Sequence, residues 1–142
     1  MRDRPGPEWF CYAGELKTCV LGVSGQDTAF DSDSFPNWLM LDKNLVVLVE
    51  TATSDLHWMQ PGDLDVTIIP ETATTLLQAG ISSNTEQGVH IAFADGEVWR
   101  ISTSTPMSEL RKFLTNSSAT HNDRDEVLAR YRVASEAPKT LR

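Results

Sequence analysis

VHIAFADGEVWRI, residues 89–101, decides the fold class of this 142-residue chain. Two apolar-rich arms flank Ala94-Asp95-Gly96. Asp-Gly between such arms is among the strongest short-range hairpin signals. A tight two-residue turn needs positive φ, and a glycine adopts it with no Cβ to clash. In the first arm Val89, Ile91 and Phe93 alternate with His90 and Ala92. That period sends the three large apolar side chains to one face and His90 to the other. The second arm, residues 97–101, alternates less cleanly, because Val98 and Trp99 are both apolar. The expectation is an antiparallel hairpin of 89–94 with 97–101. It turns at Asp95-Gly96, with Gly96 at positive φ.

The rest of the chain supplies neighbours for this hairpin. LVVLVE at residues 45–50 is a short continuous apolar run, as in a central buried strand. LKTCVLGV at 16–23 has strand-type residues. Residues 24–37, rich in Ser and Asp, read as a loop, and so does the polar stretch 81–88. After the turn Pro61-Gly62-Asp63, LDVTII at 64–69 reads as extended. Residues 71–79 follow Pro70 as a short helix that Gly80 ends. Thr105-Pro106 starts another helix, with proline at the first position, where no hydrogen bond is lost. Met107, Leu110, Phe113 and Leu114 then fall at helical spacing and dock on the sheet. DRDEVLARYR, after Asn122, is acidic at its start and basic at its end, which suits a helix dipole. The predicted class is α+β, an antiparallel β-sheet with short flanking helices. The predicted organisation is a flexible tail (1–15), one α+β domain (16–116), and a charged C-terminal helix with a disordered tail (117–142). Val47, Val49, Ile91, Phe93, Val98, Leu110 and Leu114 form the predicted core.

Hydrophobic residues make up 40% of the chain, enough for one modest core. The net charge of −8 repels phosphate backbones, so a nucleic-acid partner is disfavoured. Arg124, Arg130 and Arg132 read as a solvated face. The longest clean apolar run, 45–49, is far below the ~20 residues a bilayer requires, so no membrane span is expected. Residues 1–10, MRDRPGPEWF, are charged and proline-broken where a signal peptide carries its apolar stretch. The spacing of Cys11 and Cys19 matches no common zinc or redox motif. A small disulfide loop and two separate, partly buried thiols both remain open.

Five blocks in order carry a resemblance over about residues 19–115. They are GVSGQDTAF (22–30), VVLVE (46–50), HWMQPGDLDV (57–66), IAFADGEVWRIS (91–102) and LRKFLT (110–115). Together they resemble a large paralogous family of bacterial cell-surface proteins best known from planctomycetes. Those proteins have a prepilin-type N-terminus and a C-terminal domain with a His, nine residues, then Asp-Gly. The resemblance implies a pseudopilin-head-like fold and a non-enzymatic structural role at the cell surface or envelope. It implies other envelope or pilus-like proteins as partners, an envelope or extracellular location, and no cofactor. It makes Glu50, Trp58, Pro61, Asp63, Phe93, Asp95 and Gly96 the motif residues. Two departures stand out. The family histidine, ten residues before Asp95, is Thr85 here. The N-terminal export helix and its cleavage site are absent, so assembly through that helix is not expected of this chain.

Four constellations invite chemistry. Glu50, Asp55, His57, Asp63 and Asp65 lie within a sixteen-residue window and could bind a metal or exchange protons. No HExxH-type spacing accompanies them, and the simpler reading is that Glu50 ends a buried strand by accepting hydrogen bonds. Asp27, Asp31 and Asp33 offer hard oxygens suited to calcium, without the glycine and glutamate of an EF-hand loop. Ser24, Ser54 and His57 suggest a hydrolase, but no G-x-S-x-G elbow is present. Trp38, Trp58 and Trp99 form either an exposed aromatic platform or the edge of a core. The residues therefore favour no catalytic, cofactor-binding or metal-binding set. A ligand- or calcium-binding module and a small metal-dependent hydrolase are the rival readings.

Overall fold

The structure, a computed structural model, describes residues 19–31, 38–52, 63–83 and 88–134. Among these residues five strands form one sheet: β1 (Val20–Ser24), β2 (Val46–Glu50), β3 (Asp63–Asp65), β4 (Val89–Phe93) and β5 (Val98–Ile101). Their order is β3-β1-β2-β4-β5. Three short helices follow among the described residues, α1 (Met107–Arg111), α2 (Asn116–Ala119) and α3 (Arg124–Val127). The α+β class holds, but the sheet is mixed, because β3 runs parallel to β1. Side-chain alternation fixes which face a strand buries and says nothing about its direction. β4 occupies the second edge of β2, and β3 lies on the other edge of β1. Among the described residues no helix is long and apolar enough to cross a membrane.

The hairpin forms as expected, with Val89 opposite Ile101 and Ile91 opposite Trp99. Its loop is longer than the two-residue turn. The Gly96 N–H donates to the Phe93 carbonyl (3.0 Å) and the Phe93 N–H to the Glu97 carbonyl (2.9 Å). Gly96 alone in the loop has positive φ (91°). A two-residue type I′ turn would need two such residues in succession, so this is a three-residue loop closed by a glycine bulge. Directly opposed residues share a face, so Val98 follows Ala92 outward and Trp99 follows Ile91 inward. Val98 is accordingly 59% exposed and leaves the predicted core, while Trp99 is buried.

A bulge also resolves the apolar run of β2. Val46 lies opposite Phe93 and Leu48 opposite Ala92, so Val47 is the extra residue. Val46 and Val49, three apart, both reach the main core. Val47 leaves it for a smaller cluster with Ala29, Leu45 and Ala119.

The main core lies on the inner face of the sheet. Val23, Val49, Ile91, Phe93 and Ile101 meet Leu110, Phe113, Leu114 and Leu128 there. Pro106 is the N-cap of α1 rather than its first helical residue. Residues 71–79 are turns and not a helix. Leu76 and Leu77 donate to the carbonyls of Thr105 and Thr103 (3.2 Å each), and tertiary bonds replace the helical ladder. Gly80, at φ 83°, closes this segment. Residues 116–134 continue the same core. Leu128 is fully buried, and Ser102 and Val133 exchange backbone bonds across to Tyr131 and Arg100. The expected tails at 1–15 and beyond 134, and with them Cys11, lie outside the described residues.

Candidate functional site

Glu50 ends β2 opposite Val20, with its side chain on the outer face of the sheet. Its Oε2 accepts the His90 backbone N–H (2.9 Å) and lies 2.8 Å from His90 Nδ1. Its Oε1 accepts the Ser83 hydroxyl (2.7 Å). A carboxylate offers only acceptors, so Nδ1 carries a proton that points at Glu50. That is the orienting half of an acid–base pair. The Ser83 hydroxyl donates to the carboxylate, which is not the arrangement of a nucleophile activated by the imidazole. The His90 side chain is 54% exposed and that of Glu50 21%, which leaves the pair open to water.

Of the residues that could gather with Glu50 into a metal or acid–base cluster, only Asp63 and Asp65 are described, and they do not join it. Asp63 and Asp65 sit on β3, beyond β1 from Glu50. Asp65 caps the following 3-10 turn, accepting the Thr67 N–H (2.9 Å) and hydroxyl (2.6 Å). Those two bonds hold its carboxyl below the usual range. Asp55, His57, Trp58, Pro61, Ser54 and Thr85 lie outside the described residues. Among the described residues no three His, Cys, Asp or Glu side chains converge. His90 was missed as the partner of Glu50. Its outward place on the first hairpin arm was the available signal.

The acidic loop is tied to α2. Asp27 stands at φ 62°, and its N–H donates to Asp31 Oδ2 (2.8 Å). Its Oδ2 accepts the Ser117 N–H (2.9 Å) and hydroxyl (2.6 Å), and its carbonyl accepts the Asn116 N–H (2.7 Å). Thr115, the N-cap of α2 in the chain, makes no side-chain capping bond. Asp27 therefore caps α2 from a distant loop. Asp33 lies outside the described residues.

Among the described residues, the hairpin tip carries the densest charge network. Arg124 is only 5% exposed, against the solvated reading of its basic neighbourhood. Its guanidinium donates to Asp95 (2.5 and 3.2 Å), to Glu97 (2.5 Å) and to the Lys43 carbonyl (2.9 Å). Its Cζ also lies 4.5 Å from the centroid of the Phe93 ring and 5.5 Å from that of Trp99. Phe93 and Trp99 pack edge to face, with centroids 5.3 Å apart. Trp99 is thus core and no exposed platform, and Arg132 stacks 4.3 Å over its ring. The Arg124 hydrogen bond outweighs burial and holds the Asp95 carboxyl below its ordinary value. Arg130 and Arg132 remain exposed. The only sequence signal for a buried Arg124 was the unpaired negative charge of Asp95 and Glu97 at a turn.

No family model, no curated protein and no solved structure matches the chain.

Proposed function

We propose that the chain is a non-enzymatic structural module of the cell surface or envelope, with a head similar to that of pseudopilins. Its partners on this reading are other envelope or pilus-like proteins. One observation carries it: the acidic residues that stood out in the sequence hold the fold together. Glu50 ties β2 to His90 and Ser83, Asp27 caps α2, and Asp95 binds Arg124. These carboxylates already accept the protein's own donors, an arrangement suited to a rigid head more than to turnover.

The test is a panel of generic esters and peptides, run with the purified chain and with His57→Ala and His90→Ala. The expected result is turnover at the buffer rate for all three. Hydrolysis that vanishes in either variant while the melting curve survives would overturn the reading. A calcium titration followed by melting separates the binding-module rival. A rise of several degrees that disappears in Asp31→Asn would favour that rival.

A further inference from the structure

We propose that Asp95-Gly96 is a site of spontaneous isomerisation to isoaspartate, and that Arg124 holds it closed. The chain has eight glycines, and only Gly96 follows an Asp or an Asn. Glycine puts no side chain in the way of its own nitrogen. In an open chain that nitrogen gives up its proton and attacks the side-chain carbonyl carbon of the preceding aspartic acid. The N–Cγ bond forms, and the carboxyl O–H leaves with the amide proton as water, closing a succinimide ring. Water then opens the ring. Attack at Cγ returns aspartate, and attack at the main-chain carbonyl leaves isoaspartate, with the chain running through Cγ. One water leaves and one enters, so the mass is unchanged and no other reactant is needed.

Bulk does not shield this turn. Asp95 and Gly96 are exposed, and a Cβ on Gly96 would meet nothing within 4 Å. The fold acts on the two reacting groups instead. Oδ1 of Asp95 accepts the Glu97 N–H (3.0 Å) and an Arg124 N–H (3.2 Å), and Oδ2 accepts a second Arg124 N–H (2.5 Å). The succinimide is neutral and lacks one of those oxygens. Closing it would strip the buried Arg124 of one of its two anions.

The reactive form of the side chain is the neutral acid. The Arg124 hydrogen bond holds the carboxyl below its ordinary value and so depletes that form. The nucleophile is restrained as well. The Gly96 N–H donates to the Phe93 carbonyl (3.0 Å) and must leave it to be deprotonated. Arg124 reaches the turn from 29 residues away in the chain, on α3. The site is therefore closed only while that segment is docked. Isoaspartate adds a methylene to the loop backbone, which breaks the spacing that returns the Phe93 N–H to the Glu97 carbonyl (2.9 Å). The conversion would mark, irreversibly, chains whose C-terminal segment has come away. It holds whether or not the module sits at a cell surface.

The experiment is ageing of the full chain in neutral buffer, below the melting range of every variant compared. Isoaspartate at residue 95 is read by peptide mapping with an endoprotease that cuts before aspartate and not before isoaspartate. It should form at least about tenfold more slowly in the native chain than in the chain unfolded by guanidinium chloride. Arg124→Met should raise the folded rate at least about fivefold. Arg124→Lys keeps a cation without the fork that grips both oxygens. It should raise the rate too, and it makes the comparison if Arg124→Met gives no cooperative melt. Asp27→Ala loosens the fold at the α2 cap and leaves the Asp95–Arg124 pair in place. Its rate should stay within about twofold of the native one, which separates release of Asp95 from general opening. Equal rates in the native and unfolded chains overturn the proposal. So does a folded Arg124 variant that isomerises no faster, or an Asp27→Ala chain that speeds up as much as the Arg124 variant.

Discussion

A guanidinium taken out of water destabilises a fold by several kcal/mol unless its donors are met. Arg124 meets that condition with Asp95, Glu97 and the Lys43 carbonyl, and adds the faces of Phe93 and Trp99. Arg124→Met keeps the buried stem and removes the charge. It should cost about 2–3 kcal/mol in denaturant melts, below the full cost of breaking a buried pair, because Asp95 and Glu97 reach water. The same pair sets an acid limit. The Asp95 carboxyl is lowered from 3.8, chiefly by the Arg124 hydrogen bond. Its contribution is therefore complete above the unfolded carboxylate value and is lost as pH falls through the lowered folded value. Melting temperature should drop more steeply below about pH 4 in the native chain than in Asp95→Asn, which has no carboxylate at this position to titrate. Equal slopes would detach Asp95 from acid unfolding. Gly96 next door is governed by backbone alone. An added Cβ would meet nothing within 4 Å, yet φ is 91°. Gly96→Val should cost about 1–2 kcal/mol by strain, and Gly96→Asn less, because asparagine tolerates positive φ.

At the scale of elements, legibility followed the range of the forces involved. The hairpin was readable because its signal is local: two apolar arms and a residue that supplies positive φ. Its loop length was not, since Asp-Gly serves both a two-residue turn and a three-residue loop with a bulge. The one-residue difference decided that Trp99 and not Val98 is buried. The β2 bulge was hidden for a similar reason, because an unbroken VVLVE run carries no phase. The helix expected at 71–79 lost to tertiary bonds from Leu76 and Leu77 to residues 103–105, which no local pattern encodes. α2 is the clearest case of distant control. It is four residues long, too short to persist alone, and its missing cap comes from Asp27. Asp27→Asn retains both an acceptor and a residue tolerant of positive φ, and should stay within about 0.5 kcal/mol of the native chain. Asp27→Ala loses both and should cost about 1–2 kcal/mol. If urea midpoints show the two variants equally destabilised, the negative charge and not the cap is what matters.

For the molecule as a whole, the sequence showed which residues matter more clearly than what they touch. Glu50 was expected to end a strand and accept backbone donors, and it does, but His90 and Ser83 come from segments 40 and 33 residues away. Chain separation also obscured the role of the C-terminal part. DRDEVLARYR looks like an appended charged helix. In the fold Asp123 caps only a single turn, and the segment then fills the core with Leu128 and covers Phe93 with Arg124. Tyr131 and Val133 exchange backbone bonds with the β5 region. Ending the chain after residue 115 would uncover Phe93 and Trp99, leave Asp95 and Glu97 without their cation, and remove the buried Ala119 and Leu128. Two such buried apolar contributions and one buried ion pair together reach about 5 kcal/mol or more. That is comparable to the whole stability of a small domain. The truncated chain should therefore lose its cooperative thermal transition, as followed by far-ultraviolet circular dichroism and calorimetry. A sharp transition retained within a few degrees of the native midpoint would mean that the sheet and α1 fold alone, with residues 116–134 an appendage.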